Sequence, residues 1–423
     1  MSRLEWLFSR LDRTLSVKVS LYALLGVAAA SIASLFSHYV HWAMPFDITP
    51  SAIESLLGII ASSMLTVTTF SVNALTSAYS SATSNGTPRA TILQEQDRLV
   101  QSVLATFIGS FLFSIVALIA LKVSAYGPEG RAVLFLVTIA IIVLIVLALI
   151  RWIGHLAKLG RVGDTIDRLE KATKGAMTAW MARPYLGGAP LREEVVLPPA
   201  TGKIEAGDVG YIAFIDTGHI AELCEEKAFE AVLQVLPGAF VYRDSILLRL
   251  HGGTSPLDPT LSKQFRNAFV LRTARSFDQD PRFGLITLTE VALRALSPAV
   301  NDPGTAIDVI GRQTRLMTLW CTEHPAPADT EPRYPRLHVP PLACGDLYED
   351  AFNLIGRDGA GQIDVALRLL KALEALSRLG PPTARAAAIR QFHLAFARAE
   401  TTLPTEHERA RLCELRDRFT GAA

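Results

Sequence analysis

Charge is scarce over the first third of this 423-residue chain and dense after Ile150, and neither sign dominates: the formal net charge is +1. No basic stripe with interleaved aromatics occurs, which argues against a nucleic-acid partner. Cysteine is sparse too. Cys224, Cys321, Cys344 and Cys413 all follow the last long apolar run, and none forms a CxxC pair. Cys321 and His324, with His338 and Cys344 downstream, match no standard zinc spacing, so these read as reduced thiols and no metal or cofactor is expected. Nucleophile elbows, P-loops and HExxH are missing as well, and no enzyme is expected. The Gly-rich GRDGAGQID (Gly356 to Asp364) has neither a preceding strand nor a Lys in register, and reads as a loop between helices.

What is present is long hydrophobic runs. Val19–Phe36, Leu56–Leu75, Val100–Leu121 and Ala132–Ile150 carry no charge. Each is close to the ~20 residues that cross a hydrocarbon core. The first has a basic flank and small residues like a signal peptide, but its apolar run exceeds the ~7–15 residues of that class. It is expected to stay as a span.

Lys and Arg in the flanks set the orientation. Arg3, Arg10, Arg13 and Lys18 precede the first run, Arg89 and Arg98 lie in the second loop, and Arg151, Lys158, Arg161 and Arg168 follow the fourth. The first loop has none, and the third only Lys122 and Arg131. Both termini are therefore expected in the cytoplasm. RLEWLFSRLDRTL, with leucines at helical spacing, fits an interfacial helix or a plain extension of the first span.

The second run differs in kind. Ser55, Ser62, Thr66, Thr69, Asn73, Thr76 and Ser80 recur at steps of three, four and seven, which places them on one helix face. Two readings compete. Small polar residues are ordinary glue between helices in lipid, and hydroxyl and amide groups also line aqueous pathways. No ionisable residue lies mid-membrane in any run, against a carboxylate proton relay. On the third run, Thr106, Gly109, Ser110 and Ser114 mark a close helix contact.

The expected fold is membrane α+β. Residues 1–18 form a juxtamembrane flank and 19–150 a four-helix membrane domain. A helical connector and linker covers 151–199, a small β module 200–253 and a mostly helical cytoplasmic domain 254–423. GYIAFID, AVLQVL, AFVYRD and SILLRL read as strands, with Pro237-Gly238 needed for a turn. Asp302-Pro303 caps a helix running to about Trp320. A proline-rich link, Pro325–Pro341, precedes helices near Ile363–Leu379, Thr383–Ala399 and Glu406–Phe419.

The stretch RTARSFDQDPRFGLITLTEVALRALSPAVNDPGTAIDVI resembles a bacterial family of integral membrane proteins catalogued as domain of unknown function 2254. The matching residues run from Asp278-Gln279-Asp280 through Phe283-Gly284 and Ala292–Pro298 to Asn301-Asp302-Pro303 and Thr305-Ala306. LPGAFVYRDSILL resembles that family's second motif, with Ala239 where Asp is usual, and the region around Pro88-Arg89 resembles a third. The resemblance implies four spans and a bacterial inner membrane.

Arg272, Arg275, Asp278, Asp280, Glu290, Arg294, Asn301 and Asp302 form the best candidate polar group after the spans. One reading is a ligand or ion site. The other is a capping and salt-bridge network at a helix break, which accounts for Asp302 and Pro303. The leading functional expectation is a homo-oligomeric channel or transport pathway for ions or small solutes in the lipid bilayer. Its alternative is a membrane-anchored sensor or scaffold that binds a ligand or protein.

Overall fold

The computed structural model describes residues 17, 19–24, 27–28, 49–85, 87–90, 97–123, 128–157, 159–192, 195–254, 256–323 and 331–421. The architecture mixes helix and sheet, mostly helix, and divides into two compact units. One unit contains most residues up to Thr165; the other contains Asn85–Arg89 and the chain from Ile166 onward.

Among the described residues, the first unit holds three helices long and apolar enough to cross a membrane: α1 (Pro50–Asn85), α2 (Arg98–Lys122) and α3 (Pro128–Leu156). They correspond to the second, third and fourth expected spans. Most of the first expected span, and most of its basic flank, lie outside the described residues. Its described parts, 19–24 and 27–28, are helical. A Cβ on Gly109 of α2 would sit 3.0 Å from the Tyr22 carbonyl oxygen, so the glycine admits a close backbone approach there. Ser110 and Ser114 beside it are buried.

The helices pack through two apolar clusters. Ile53 and Leu57 of α1 meet Phe113 and Leu134, and farther along Ile60, Met64 and Leu75 meet Leu104, Phe107 and Trp152. Asp97 caps α2, accepting from the amides of Leu99 (2.9 Å) and Val100 (3.3 Å), and lies 3.0 Å from His155 Nε2. The expected continuous helix after the fourth span is instead broken. α3 ends at Leu156 and α4 (Val162–Ala182) starts afresh, with Gly160 between them at φ +80°.

The second unit is built on two sheets. Its strands are β1 (Gly188–Pro190), β2 (Ala200–Glu205), β3 (Gly210–Ile215), β4 (Phe229–Leu233), β5 (Phe240–Val241), β6 (Ile246–Gly252), β7 (Phe269–Arg272) and β8 (Tyr334–Val339). One sheet has the order β1-β8-β4-β6-β2, the other β5-β3-β7. The sheet region is therefore larger than the expected 200–253 module. The supposed proline-rich link supplies β8, which pairs in parallel with β1 and β4. Helices α5 (Thr217–Lys227) and α6 (Pro259–Asn267) cover the sheets, and Phe229, Leu250, Phe265 and Leu337 lie at their common core.

The remaining helices pack on one another: α7 (Pro281–Leu296), α8 (Pro303–Glu323), α9 (Cys344–Tyr348), α10 (Leu354–Asp358), α11 (Ile363–Leu376), α12 (Pro382–Thr402) and α13 (Glu406–Gly421). Of the Gly-rich stretch at 356–364, only residues 359–362 form the turn between α10 and α11; its two ends belong to those helices. Arg312 of α8 joins Asp167 and Glu170 of α4, and Arg315 bonds Glu170 at 2.8 and 2.9 Å. Burial opposes ionisation of Glu170, but these guanidiniums hold its carboxyl below the usual range.

Candidate functional site

All seven residues of the polar stripe lie on α1, and all seven are exposed. The buried positions of that helix are Ile53, Leu57, Ile60, Ala61, Met64, Ser71 and Leu75. At about 3.6 residues per turn, the two sets are centred roughly half a turn apart. The stripe is thus on the face turned away from α2 and α3. Exposed apolar side chains border it, Ile59 and Phe70 on one flank and Leu65 and Val72 on the other.

Five of the six hydroxyls are internally satisfied. Ser55, Ser62, Thr66, Thr69 and Thr76 each donate to the carbonyl four residues back, at 2.9 to 3.0 Å. Their protons point along the helix, and their oxygens keep lone pairs free to accept. Asn73 differs: among the described residues, nothing bonds its amide. Among the described residues, neither α2 nor α3 packs on this face. At 36 residues and about 1.5 Å per residue, α1 is about 54 Å long, well beyond the ~30 Å of a hydrocarbon core.

The polar residues expected in the later part of the chain do not converge on one point. Asp280 is buried, bonds Arg275 through both oxygens (2.7 and 2.9 Å) and caps α7 through the Phe283 amide at 3.1 Å. Burial pushes its carboxyl up, against the pull of Arg275. Gln279 locks onto the backbone of β3: its Oε1 accepts from Ile215 N at 2.9 Å and its Nε2 donates to Ile215 O at 3.4 Å. Asp278 accepts from Ser276 Oγ at 3.2 Å. Arg272 ends β7, opposite Tyr211.

Glu290 of α7 pairs with Arg89 from the loop that follows α1. Arg294 is exposed nearby on the same helix. Asn301 and Asp302 form the reverse turn into α8. Asn301 takes a left-handed φ of +49°, and its amide bonds Ser297 O at 2.8 Å. Asp302 accepts from the Thr305 hydroxyl (2.6 Å) and amide (3.1 Å), which lower its carboxyl below its ordinary value. Capping geometry therefore accounts for Asp280 and Asp302, and Gln279 acts as a clip between sheet and helices.

The thiols and His338 weighed for zinc are also apart in their bonding. Cys321 Sγ lies 3.5 Å from the Tyr348 hydroxyl, whereas His338 Nε2 lies 3.1 Å from Glu230. Burial pushes the Cys224 thiol up to about 12. Two features of the second unit escaped sequence reasoning: the Asp280 cap, although Asp280-Pro281 carries the same signal as Asp302-Pro303, and a cleft beneath the turn after α4.

Comparison with known proteins bears on this architecture as follows. A stretch of 117 residues is 36% identical to Uncharacterized protein Mb1321c of Mycobacterium bovis and, equally, to Uncharacterized protein Rv1290c of Mycobacterium tuberculosis. The matched stretch covers 27% of this chain and 22% of each relative. No solved structure matches the chain. The family described as predicted membrane protein (DUF2254) matches residues 12–375, most of the chain. The three apolar helices and the FDQD-to-NDP segment on α7 and α8 fall within that match, and the chain belongs to this family of membrane proteins.

Proposed function

We propose that several copies of this chain meet around the polar face of α1 and form a channel or transport pathway for ions or small solutes. The observation that carries the reading is the placement of Ser55, Ser62, Thr66, Thr69, Asn73, Thr76 and Ser80 on the face that α2 and α3 leave uncovered. A polar face at membrane depth is costly against lipid and needs water or partners. The flanking apolar positions suit contact with a neighbouring subunit. Five of the six hydroxyl protons are committed to the helix backbone, so the face offers mainly oxygen lone pairs, which favours cations over anions.

The chain is read as a bacterial inner-membrane protein with both termini in the cytoplasm. The charge count supports that orientation. So does the membership of Asn85–Arg89 in the same unit as the chain from Ile166 onward, within which Arg89 pairs with Glu290. The expected first span completes an even number of crossings. The unit after α3 would assemble or gate the pathway.

Purified protein in liposomes tests this. The expected result is ion flux that Thr66→Leu with Asn73→Leu suppresses while the oligomer persists. No flux from folded oligomer under any gradient or potential contradicts it. A second reading, a membrane-anchored sensor, is favoured by the cleft in the second unit.

A further inference from the structure

A cleft of about 400 Å³ opens where the end of α4, the start of α5 and the segment before β8 come together. That volume lies in the ~300–1,000 Å³ range of small-molecule sites. Its walls include Trp180, Tyr185 and Tyr334, and its rim carries Arg183 and Arg333.

The turn that shapes it is strained. Tyr185 and Leu186 both take φ of +55°, followed by Gly187 at +86°. Two consecutive non-glycine residues in the left-handed region cost about 1–2 kcal/mol each. The Leu186 carbonyl is held by the Thr217 hydroxyl at 3.0 Å, and the Tyr334 ring lies against Gly187. Such strain persists where surrounding structure enforces it, commonly at ligand sites.

The charges are distinctive. Among the described residues no carboxylate pairs with Arg183 or Arg333, and the Arg333 guanidinium lies 5.5 Å over the Tyr334 ring. Asp278 and Glu331 also face the cleft. A ligand that satisfies this lining carries a flat ring for the aromatic walls, an anionic group for the arginines, and hydroxyl or amino donors for the carboxylates. We propose that the cleft binds a nucleoside monophosphate. The site is independent of whether α1 lines a pathway.

The test is titration calorimetry on the full-length protein in detergent. The probes are adenosine and guanosine monophosphates, the two nucleosides, and inorganic phosphate. A nucleoside monophosphate is expected to bind saturably, at least tenfold tighter than nucleoside or phosphate alone. Arg183→Ala and Arg333→Ala, both at exposed positions, are expected to weaken it about tenfold each with an unchanged melting temperature. No saturable binding of either nucleotide at millimolar concentration overturns the proposal. So does binding that both variants leave intact, or phosphate binding as tightly as the nucleotides.

Discussion

Ser71 and Asn73 stand two residues apart on α1 and face opposite ways. Ser71 is fully buried against the neighbouring helices, while Asn73 is exposed on the polar face. Among the described residues no group hydrogen-bonds the buried Ser71 hydroxyl, and the side chain sits in a closely packed position. Ser71→Leu should therefore destabilise the helix bundle by about 1–3 kcal/mol through overpacking. Asn73→Leu should leave monomer stability nearly unchanged. Thermal melting in detergent checks both, and equal losses would contradict the opposed faces.

Gly238 sits at the third position of the turn Leu236–Ala239, after Pro237, with φ +90°. A Cβ there would lie 2.1 Å from Asp280 Oδ2. Gly238→Ala combines a left-handed backbone penalty of about 1–2 kcal/mol with displacement of the buried Arg275–Asp280 pair. The expected loss is about 3–5 kcal/mol, the order that breaking a buried pair costs. Chemical denaturation followed by circular dichroism measures it. A neutral substitution would show that the turn does not rest on the pair.

Gln279→Ala removes both bonds to Ile215, whose backbone is buried. An unsatisfied buried amide costs about 1–3 kcal/mol, and Gln279→Glu keeps only the acceptor. Hydrogen exchange at the Ile215 amide should rise in the alanine variant and stay slow in the glutamate variant. Fast exchange in the parent protein would contradict the clip.

Asp302 contributes its stabilisation when ionised, because its carboxyl is held below the ordinary value by Thr305. The contribution is fully present above the unfolded pKa of about 3.9 and is lost as pH falls through the lowered folded value. Asp302→Ala should cost about 1 kcal/mol at neutral pH, as for other N-caps. The difference from the parent should shrink with acidification. A gap that widens below pH 4 would contradict the sign.

Several features could be read before any coordinates. The Asp302-Pro303 cap, the Pro237-Gly238 turn and three apolar helices depend on local chemistry and the 3.6-residue period. β8 could not, because its identity comes from parallel pairing with β4, about a hundred residues earlier. The break at Gly160 was hidden by amphipathic sequence on both sides. The polar stripe was evident, but its placement needed the opposite face: Ile53, Leu57, Ile60 and Met64 pack on α2 and α3, which leaves the stripe uncovered by those two helices. The cleft draws its lining from separate stretches of chain, each unremarkable alone.

The most direct measurement of the central claim is conductance of planar bilayers containing the Asn73→Cys protein, before and after a water-soluble charged thiol reagent. Leu75→Cys, at a buried position two residues on, serves as the comparison. The account predicts a conductance that modification at position 73 blocks or alters and that modification at 75 leaves unchanged. No conductance from the folded protein, or one altered at position 75 but not at 73, would contradict it.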